Sequence, residues 1–219
     1  EMVTGTMIYL HDMTEPDMLH ARCVRPPNYL ARLELLDAAI VARLKSEGFT
    51  VVQDGSFLAV AGEDEFKVIK AAQRLAQAST WMGGSIDDSD IFKQLKSNPR
   101  ESLPVVNGTP VEMSVPPLHT PPANSVVTLS ACYDKPYIMH GSIGPSAAMA
   151  YAEIDGVISI WTHSQGIQPL RRSIAEALNM SPDDIYIQHV PGAGCYGHNG
   201  ADDAAFDAAL IARSIPGRP

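Results

Sequence analysis

The chain has 219 residues, with 16 Lys and Arg against 25 Asp and Glu, for a formal charge of −9 with histidine neutral. That balance argues against nucleic acid as the main partner, because phosphate backbones are held by clustered basic side chains. Apolar residues make up 45% of the chain, a globular rather than a disordered proportion, and no run of about 18 apolar residues is present to span a bilayer. Cys23, Cys132 and Cys195 have no Cys-x-x-Cys spacing and no even count for a disulfide framework, so simple structural thiols are expected. No charged stretch leads into an apolar one after Glu1, so no cellular address is legible, and bacterial cytoplasm and periplasm stay equally open.

In chain order, a strand is expected over Met18 to Val24, stopped by Pro26 and Pro27. Leu33, Leu36, Ile40 and Leu44 recur every three or four residues and predict a helix that Gly48 ends. Thr50 to Gln53 and Phe57 to Ala61 flank Asp54-Gly55, a strong hairpin signal. Glu63 to Gln77 reads as a second helix, with Phe66, Ile69, Ala72 and Ala76 on one side and acidic residues in its first turn, where the dipole favours them. Gly83 to Pro122 is rich in proline and short polar residues, with little periodicity, and reads as an extended connector.

Beyond it, Val126 to Tyr133, Ala147 to Ile154 and Val157 to Trp161 are β-rich. Pro169 opens a helix with Leu170, Ile174 and Leu178 on one face. Ile185 to Val190 is the next strand, and Ala201 to Arg213 a helix with Ala204, Ala208 and Ile211 on one face and Asp202 and Asp203 in its first turn. A helix of that kind normally delivers the chain to a further strand. The sequence stops at Pro219 instead, so the expectation is a truncated domain, its open edge mobile or covered by a second copy in a homodimer.

The densest chemical signal is Gly192-Ala193-Gly194-Cys195-Tyr196-Gly197, between that strand and that helix. Glycines there admit close backbone approach and leave amides at a helix N-terminus, which suits an anion or a polar cofactor. The same residues also read as a tight strand-to-helix turn. Trp161-Thr162-His163-Ser164-Gln165-Gly166 lies after the preceding strand. Two βα loops of one sheet open at the carboxyl ends of its strands, so both could line one crevice, where Gln165 offers donor and acceptor atoms. The alternative is a helix cap and turn. Cys195, with His198 three residues on, invites a cysteine-dependent hydrolase, since a thiolate at a helix N-terminus is activated by the dipole. The seven histidines have no His-x-x-x-His spacing, so structural roles are expected for most and no metal ligand is assigned.

Several ordered motifs resemble one superfamily. Thr4-Gly5 through His11-Asp12, Met18-Leu19-His20-Ala21-Arg22, Val24-Arg25-Pro26-Pro27 and Asp54-Gly55-Ser56-Phe57 resemble the hammerhead α/β domain of the xanthine dehydrogenase and aldehyde oxidase superfamily. The resemblance is closest to large subunits of the isoquinoline 1-oxidoreductase-like and nicotinate dehydrogenase-like branch. Pro136-Tyr137-x-x-His140 with Gly144-Pro145, Trp161-Thr162-x-x-Gln165, and Gly192 to Gly197 look like the opening of the molybdenum-cofactor domain in the same order.

The resemblance implies an α+β chain: a hammerhead domain over 1–105, a Pro-rich connector over 106–125, and the incomplete first part of a molybdopterin-binding α/β domain over 126–219. It implies that Gln165, Gly166, Gly192, Ala193, Gly194, Cys195, Tyr196 and Gly197 lie against a molybdenum-pyranopterin dinucleotide in the full-length protein, with none expected on this piece alone. It also implies an iron–sulfur (2Fe–2S) small subunit, with a cytochrome c as a further candidate partner. The implied reaction hydroxylates an aldehyde or N-heterocycle with water as oxygen source and sends electrons to iron–sulfur clusters. Ile138 stands where xanthine-type enzymes carry a glutamine, which speaks against a purine-type site. No residue matches the family's glutamate base, so no catalytic residue is assigned and the piece is expected to be inactive alone. A non-catalytic subunit-docking module is the remaining alternative.

Overall fold

The computed structural model describes residues 2–84, 89–99, 101–117, 119–135, 138, 141–192, 194, 196–197 and 202–219. They fall into two compact units, one of residues 1–85 with 139–219 and one of residues 86–138.

The first unit begins with a single 3-10 turn at Leu10–Asp12, followed by β1 (His20–Cys23), β2 (Arg32–Leu36), α1 (Ala38–Ser46), β3 (Thr50–Asp54), β4 (Phe57–Gly62), α2 (Glu65–Gln77) and β5 (Ser79–Met82). The Asp54-Gly55 hairpin forms as expected, with Asp54 opposite Phe57 and Thr50 opposite Ala61. β4 is the centre of a β1-β4-β3 antiparallel sheet. Its alternation separates two faces. Leu58 and Val60 pack with Leu44 of α1 and Val68, Ala71 and Leu75 of α2, whereas the small Ala59 and Ala61 pack with Val52 and Ile211.

The helix expected from Leu33 starts later. Leu33 and Leu36 lie on β2, which pairs with β5 across an irregularity between Leu33 and Leu35. That extra residue spaces the two inward leucines by three and so imitates a helical period. The helix begins only after Asp37, whose carboxylate accepts from Ala39 N at 2.8 Å.

The second unit holds α3 (Ile91–Ser97), capped by Asp90, and a two-strand ribbon of β6 (Val105–Val106) and β7 (Thr109–Pro110). The stretch read as a plain connector thus contains regular structure. Asn107 and Gly108 have φ of 51° and 81°, the mirror-image turn that such a ribbon favours. The strand expected over Val126 to Tyr133 does not form, and Val126 and Leu129 are exposed.

The first unit resumes with β8 (Ala148–Ala152), β9 (Ile158–Thr162), α4 (Ile167–Leu178), a 3-10 turn at Pro182–Asp184, β10 (Ile185–His189) and α5 (Asp202–Ser214). The sheet order is β10-β9-β8, with β10 parallel and β8 antiparallel to β9. Leu170, Ile174 and Leu178 of α4 meet Ile158, Ile160 and Ile185 as their spacing predicts. Pro169 sits in the third helical position rather than the first, still within the turn whose N–H groups lack partners.

α5 departs furthest from the amphipathic expectation. Ala205, Ala209 and Ala212 bury against β8 and β9, while Ile211 turns toward Ala59 and Ala61 of β4. A helix held between two sheets is buried almost all round, which explains its alanines better than a single apolar stripe. Cys23 and Ile215 join the second of these contacts. No helix among the described residues is long and apolar enough to cross a membrane.

Candidate functional site

Parallel pairing of β9 with β10, Ile158 opposite Ile185 through Thr162 opposite His189, brings their carboxyl ends to one edge. Both loops singled out in the sequence leave from that edge, which is where open α/β sheets bind ligands. The first runs from Thr162 into α4. Thr162, His163 and Ser164 are buried. Gly166 N donates to Ser164 Oγ at 3.3 Å, and His189 Nδ1 donates to Ser164 O at 3.0 Å, which ties this loop to the end of β10. Gly166 is the N-cap of α4 with no side-chain cap, so the first amides of that helix are not closed off by a capping hydroxyl or carboxylate.

In the second loop, Gly194, Tyr196 and Gly197 have φ of 89°, 46° and 124°. All three lie in the left-handed region, which glycine enters freely and which only Tyr196 occupies here with a side chain. The phenol ring of Tyr196 folds back on Gly194, where a Cβ would lie 2.7 Å from a ring carbon. Gly192 is constrained differently: a Cβ there would fall 2.5 Å from Cγ of His163. Ala193, Cys195 and His198, together with Pro136, Tyr137 and His140 of the earlier motif, lie outside the described residues.

The structure therefore brings Gln165, Gly166, Gly192, Gly194, Tyr196 and Gly197 onto two loops of one sheet edge. It adds residues that the sequence did not single out for this place. Leu10 N donates to Pro191 O at 2.8 Å. His11 Nε2 donates to Pro145 O at 2.9 Å, with its ring 6.0 Å from that of His163. Only tertiary structure links them, since nothing local in Tyr9 to Asp12 marks a partner so distant in sequence.

His163 Nε2 accepts from Ala147 N at 3.2 Å, so its proton sits on Nδ1 and the ring is neutral. Burial, then the neighbouring His11 and His189, holds its pKa below the ordinary histidine value. A shallow groove lined by Ser159, Trp161, Gln168, Arg171, Tyr186 and Gln188 contains neither Gln165 nor any described residue of the second loop.

A second polar cluster secures the helix that follows the glycine loop. Arg25 forks onto Asp207, with Nη1 to Oδ1 at 3.3 Å and a short second contact from Nη2 to Oδ2, and reaches Asp203 at 3.4 Å. Burial raises the Asp207 pKa more than the Arg25 charge lowers it. Burial, reinforced by the Asp207 charge, pushes the Cys23 thiol up to about 12, which leaves it protonated and unreactive at neutral pH.

Among the described residues the two loops offer main-chain amides, the Gln165 carboxamide, the Ser164 hydroxyl, the His163 imidazole and the Tyr196 phenol. Among the described residues no group of three or more His, Cys, Asp or Glu side chains is arranged to hold a metal. Such a set suits a large organic ligand with anionic groups, one that brings its own ligands to any metal it carries.

No family model matches the chain. It is 34% identical, over 222 aligned residues, to a subunit of nicotinate dehydrogenase from Pseudomonas putida KT2440, covering 97% of this chain and 18% of that protein. The chain thus spans under a fifth of the length of this curated relative. Among solved structures it resembles quinoline 2-oxidoreductase from Pseudomonas putida 86, with a TM-score of 0.66 and 16% identity over 99% of this chain and 32% of that one. It also resembles the Cu,Mo-CO dehydrogenase, with a TM-score of 0.61 and 14% identity over 98% and 33% of the two chains. Aldehyde oxidoreductase from Desulfovibrio gigas follows at 0.56 and 15%, over 96% and 28%. At these identities the structural likenesses speak for fold.

Proposed function

Given that the chain belongs to the xanthine dehydrogenase and aldehyde oxidase family of molybdenum hydroxylases, we propose that it acts as part of a larger molybdopterin-binding subunit and supplies two loops of the cofactor site. The observation that carries this reading is the shared carboxyl edge of β9 and β10, from which both loops depart. In this reading Gln165 and Gly166 on one loop and Gly192, Gly194, Tyr196 and Gly197 on the other contact the pyranopterin, with Ala193 and Cys195 assigned to the same loop from sequence. Residues 1–105 form the hammerhead part, 106–125 the connector and 126–219 the opening of the cofactor domain, assignments supported by the order of the motifs along the chain.

When bound, the cofactor supplies hydroxylation of an aldehyde or N-heterocycle with water as oxygen source. The chain's own contribution is to bind and orient. Main-chain amides at the start of α4 and in the positive-φ turn hold anionic groups without a charged side chain. Buried Thr162, His163 and Ser164 give the loop carrying Gln165 a fixed base. A 2Fe–2S small subunit, with a cytochrome c as a further candidate, would be the electron-accepting partner. The names of the relatives, dehydrogenase and oxidoreductase, do not favour a cysteine hydrolase at Cys195.

The test is to purify the protein from its native context with whatever copurifies. Pterin would be quantified by fluorescence after oxidative release and molybdenum by mass spectrometry. Pterin and molybdenum in equal, near-stoichiometric amounts are expected. A native preparation with neither overturns the proposal.

A further inference from the structure

We propose that His163 is the positioning residue for the two loops, a neutral imidazole plate on which the Gly192 backbone rests and against which the Gln165 loop is set. The inference rests on the cofactor-site reading for its meaning but not for its geometry. His163 is only 3% exposed. A Cβ at position 192 would come within 2.5 to 2.8 Å of its Cγ, Cβ and Cδ2, so the main chain of the second loop lies directly on the ring and only glycine fits there. On its edge, Nε2 accepts from Ala147 N at 3.2 Å, which joins the ring to the start of β8.

The segment Leu10–Asp12 closes the arrangement from another side. Leu10 N donates to Pro191 O at 2.8 Å, next to Gly192 in sequence, and the His11 ring stands 6.0 Å from His163. Gln165, two residues after His163, follows Ser164, whose carbonyl and hydroxyl accept from His189 and Gly166. One side chain therefore touches the first loop by covalent continuity, the second by packing, and β8 by hydrogen bond. The role requires a flat face for the glycine backbone and an acceptor at the Nε2 position. A leucine offers neither, and a glutamine restores the acceptor. The groups facing the ring are His11 and His189, neither of which carries a fixed negative charge that would favour protonation.

The test uses the complete cofactor-loaded protein, with pterin retention, the molybdenum electron paramagnetic resonance signal and amide hydrogen exchange as readouts. His163→Leu should raise exchange of the Ala147 amide by about tenfold, the factor a lost hydrogen bond at the upper end of its usual strength gives. It should shift the resonance signal and speed pterin loss, while α2 and β3 exchange as in the parent. His163→Gln should restore Ala147 protection and most of the pterin retention.

Gly192→Ala should lose pterin as His163→Leu does, and adding His163→Ala should recover part of that loss by making room. If His163→Leu fails to fold, the Gly192→Ala pair decides: no recovery in the double variant overturns the proposal. Unchanged exchange, signal and pterin retention in folded His163→Leu also overturns it. If the parent protein holds no pterin, the functional reading fails on that result alone. The exchange of the Ala147 amide still decides the role of His163.

Discussion

Replacing Arg25 by leucine should destabilise the fold more than replacing Asp207 by asparagine, although each removes the same ion pair. The asymmetry follows from where the two groups sit: the Arg25 side chain is 54% exposed and that of Asp207 11%. Without Arg25, a carboxylate on a helix held between two sheets loses both guanidinium contacts and, among the described residues, keeps the Cys23 thiol. Breaking a fully buried pair costs about 3–5 kcal/mol. Water already reaches the arginine side, so about 2 kcal/mol is the reasonable figure here. Without the Asp207 charge, Arg25 turns to water and to Asp203, and the loss is that of an exposed pair, about 1 kcal/mol or less.

A pH dependence follows with a definite sign. Burial already raises the Asp207 pKa, and loss of Arg25 raises it further. The folded Arg25→Leu protein then holds a proton that the unfolded chain releases above its ordinary carboxyl pKa of about 3.9. Its deficit should therefore grow as pH rises from about 4 toward neutrality and shrink on acidification. Urea unfolding followed by circular dichroism at pH 5 and pH 7, on both single variants and the double, measures the costs and their coupling. Equal costs for the two single variants, or an Arg25→Leu deficit independent of pH, would refute the argument from burial.

Ala209 is fully buried on α5, against β8 and β9, so Ala209→Leu should overpack the helix and cost about 1–3 kcal/mol in thermal or urea unfolding. An unchanged midpoint would place α5 less tightly than described. His163 binds its proton more weakly folded than unfolded, so its contribution is complete above the ordinary histidine pKa of 6.5 and is lost as pH falls from there to its depressed folded value. His163→Gln should flatten that part of the stability profile, and an unchanged slope between pH 7 and 5 would show that another group carries it. Iodoacetamide at neutral pH should label exposed Cys132 well before Cys23, whose pKa is about 12. Comparable labelling by peptide mass mapping would contradict the contact of half-buried Cys23 with Asp207.

Local chemistry made much of the fold legible. Asp54-Gly55 fixed a hairpin register, and the Leu170, Ile174 and Leu178 spacing named the buried face of α4. The expectation that two βα loops open on one edge needed only the order strand, helix, strand and the parallel pairing it implies. Leu33 and Leu36 misled because a bulge gave a strand a spacing of three. The Asn107-Gly108 turn was a readable signal inside a proline-rich stretch. The placement of Ala205, Ala209 and Ile211 was not readable as a single stripe, because α5 answers to two sheets at once. At the candidate site, the glycine spacing itself singled out the second loop, and the resemblance supplied the ligand expected there. The ring of His163 beneath it, Leu10 at Pro191 and Arg25 at Asp207 are contacts between distant segments that no local pattern encodes.

The bridge from Arg25, just past β1, to Asp207 of α5 also sets a timetable for synthesis. Arg25 and Asp207 are 182 positions apart, so at roughly 5–20 residues per second the early strand waits roughly 10–40 s for its counterpart to leave the ribosome. During that interval Ala21, Cys23, Ala59 and Ala61 have no Ile211 to cover them. The nascent chain thus carries a completed hairpin and helix layer with one naked apolar side. That side stays open to solvent until α5 has been made and Ile211 can pack on it.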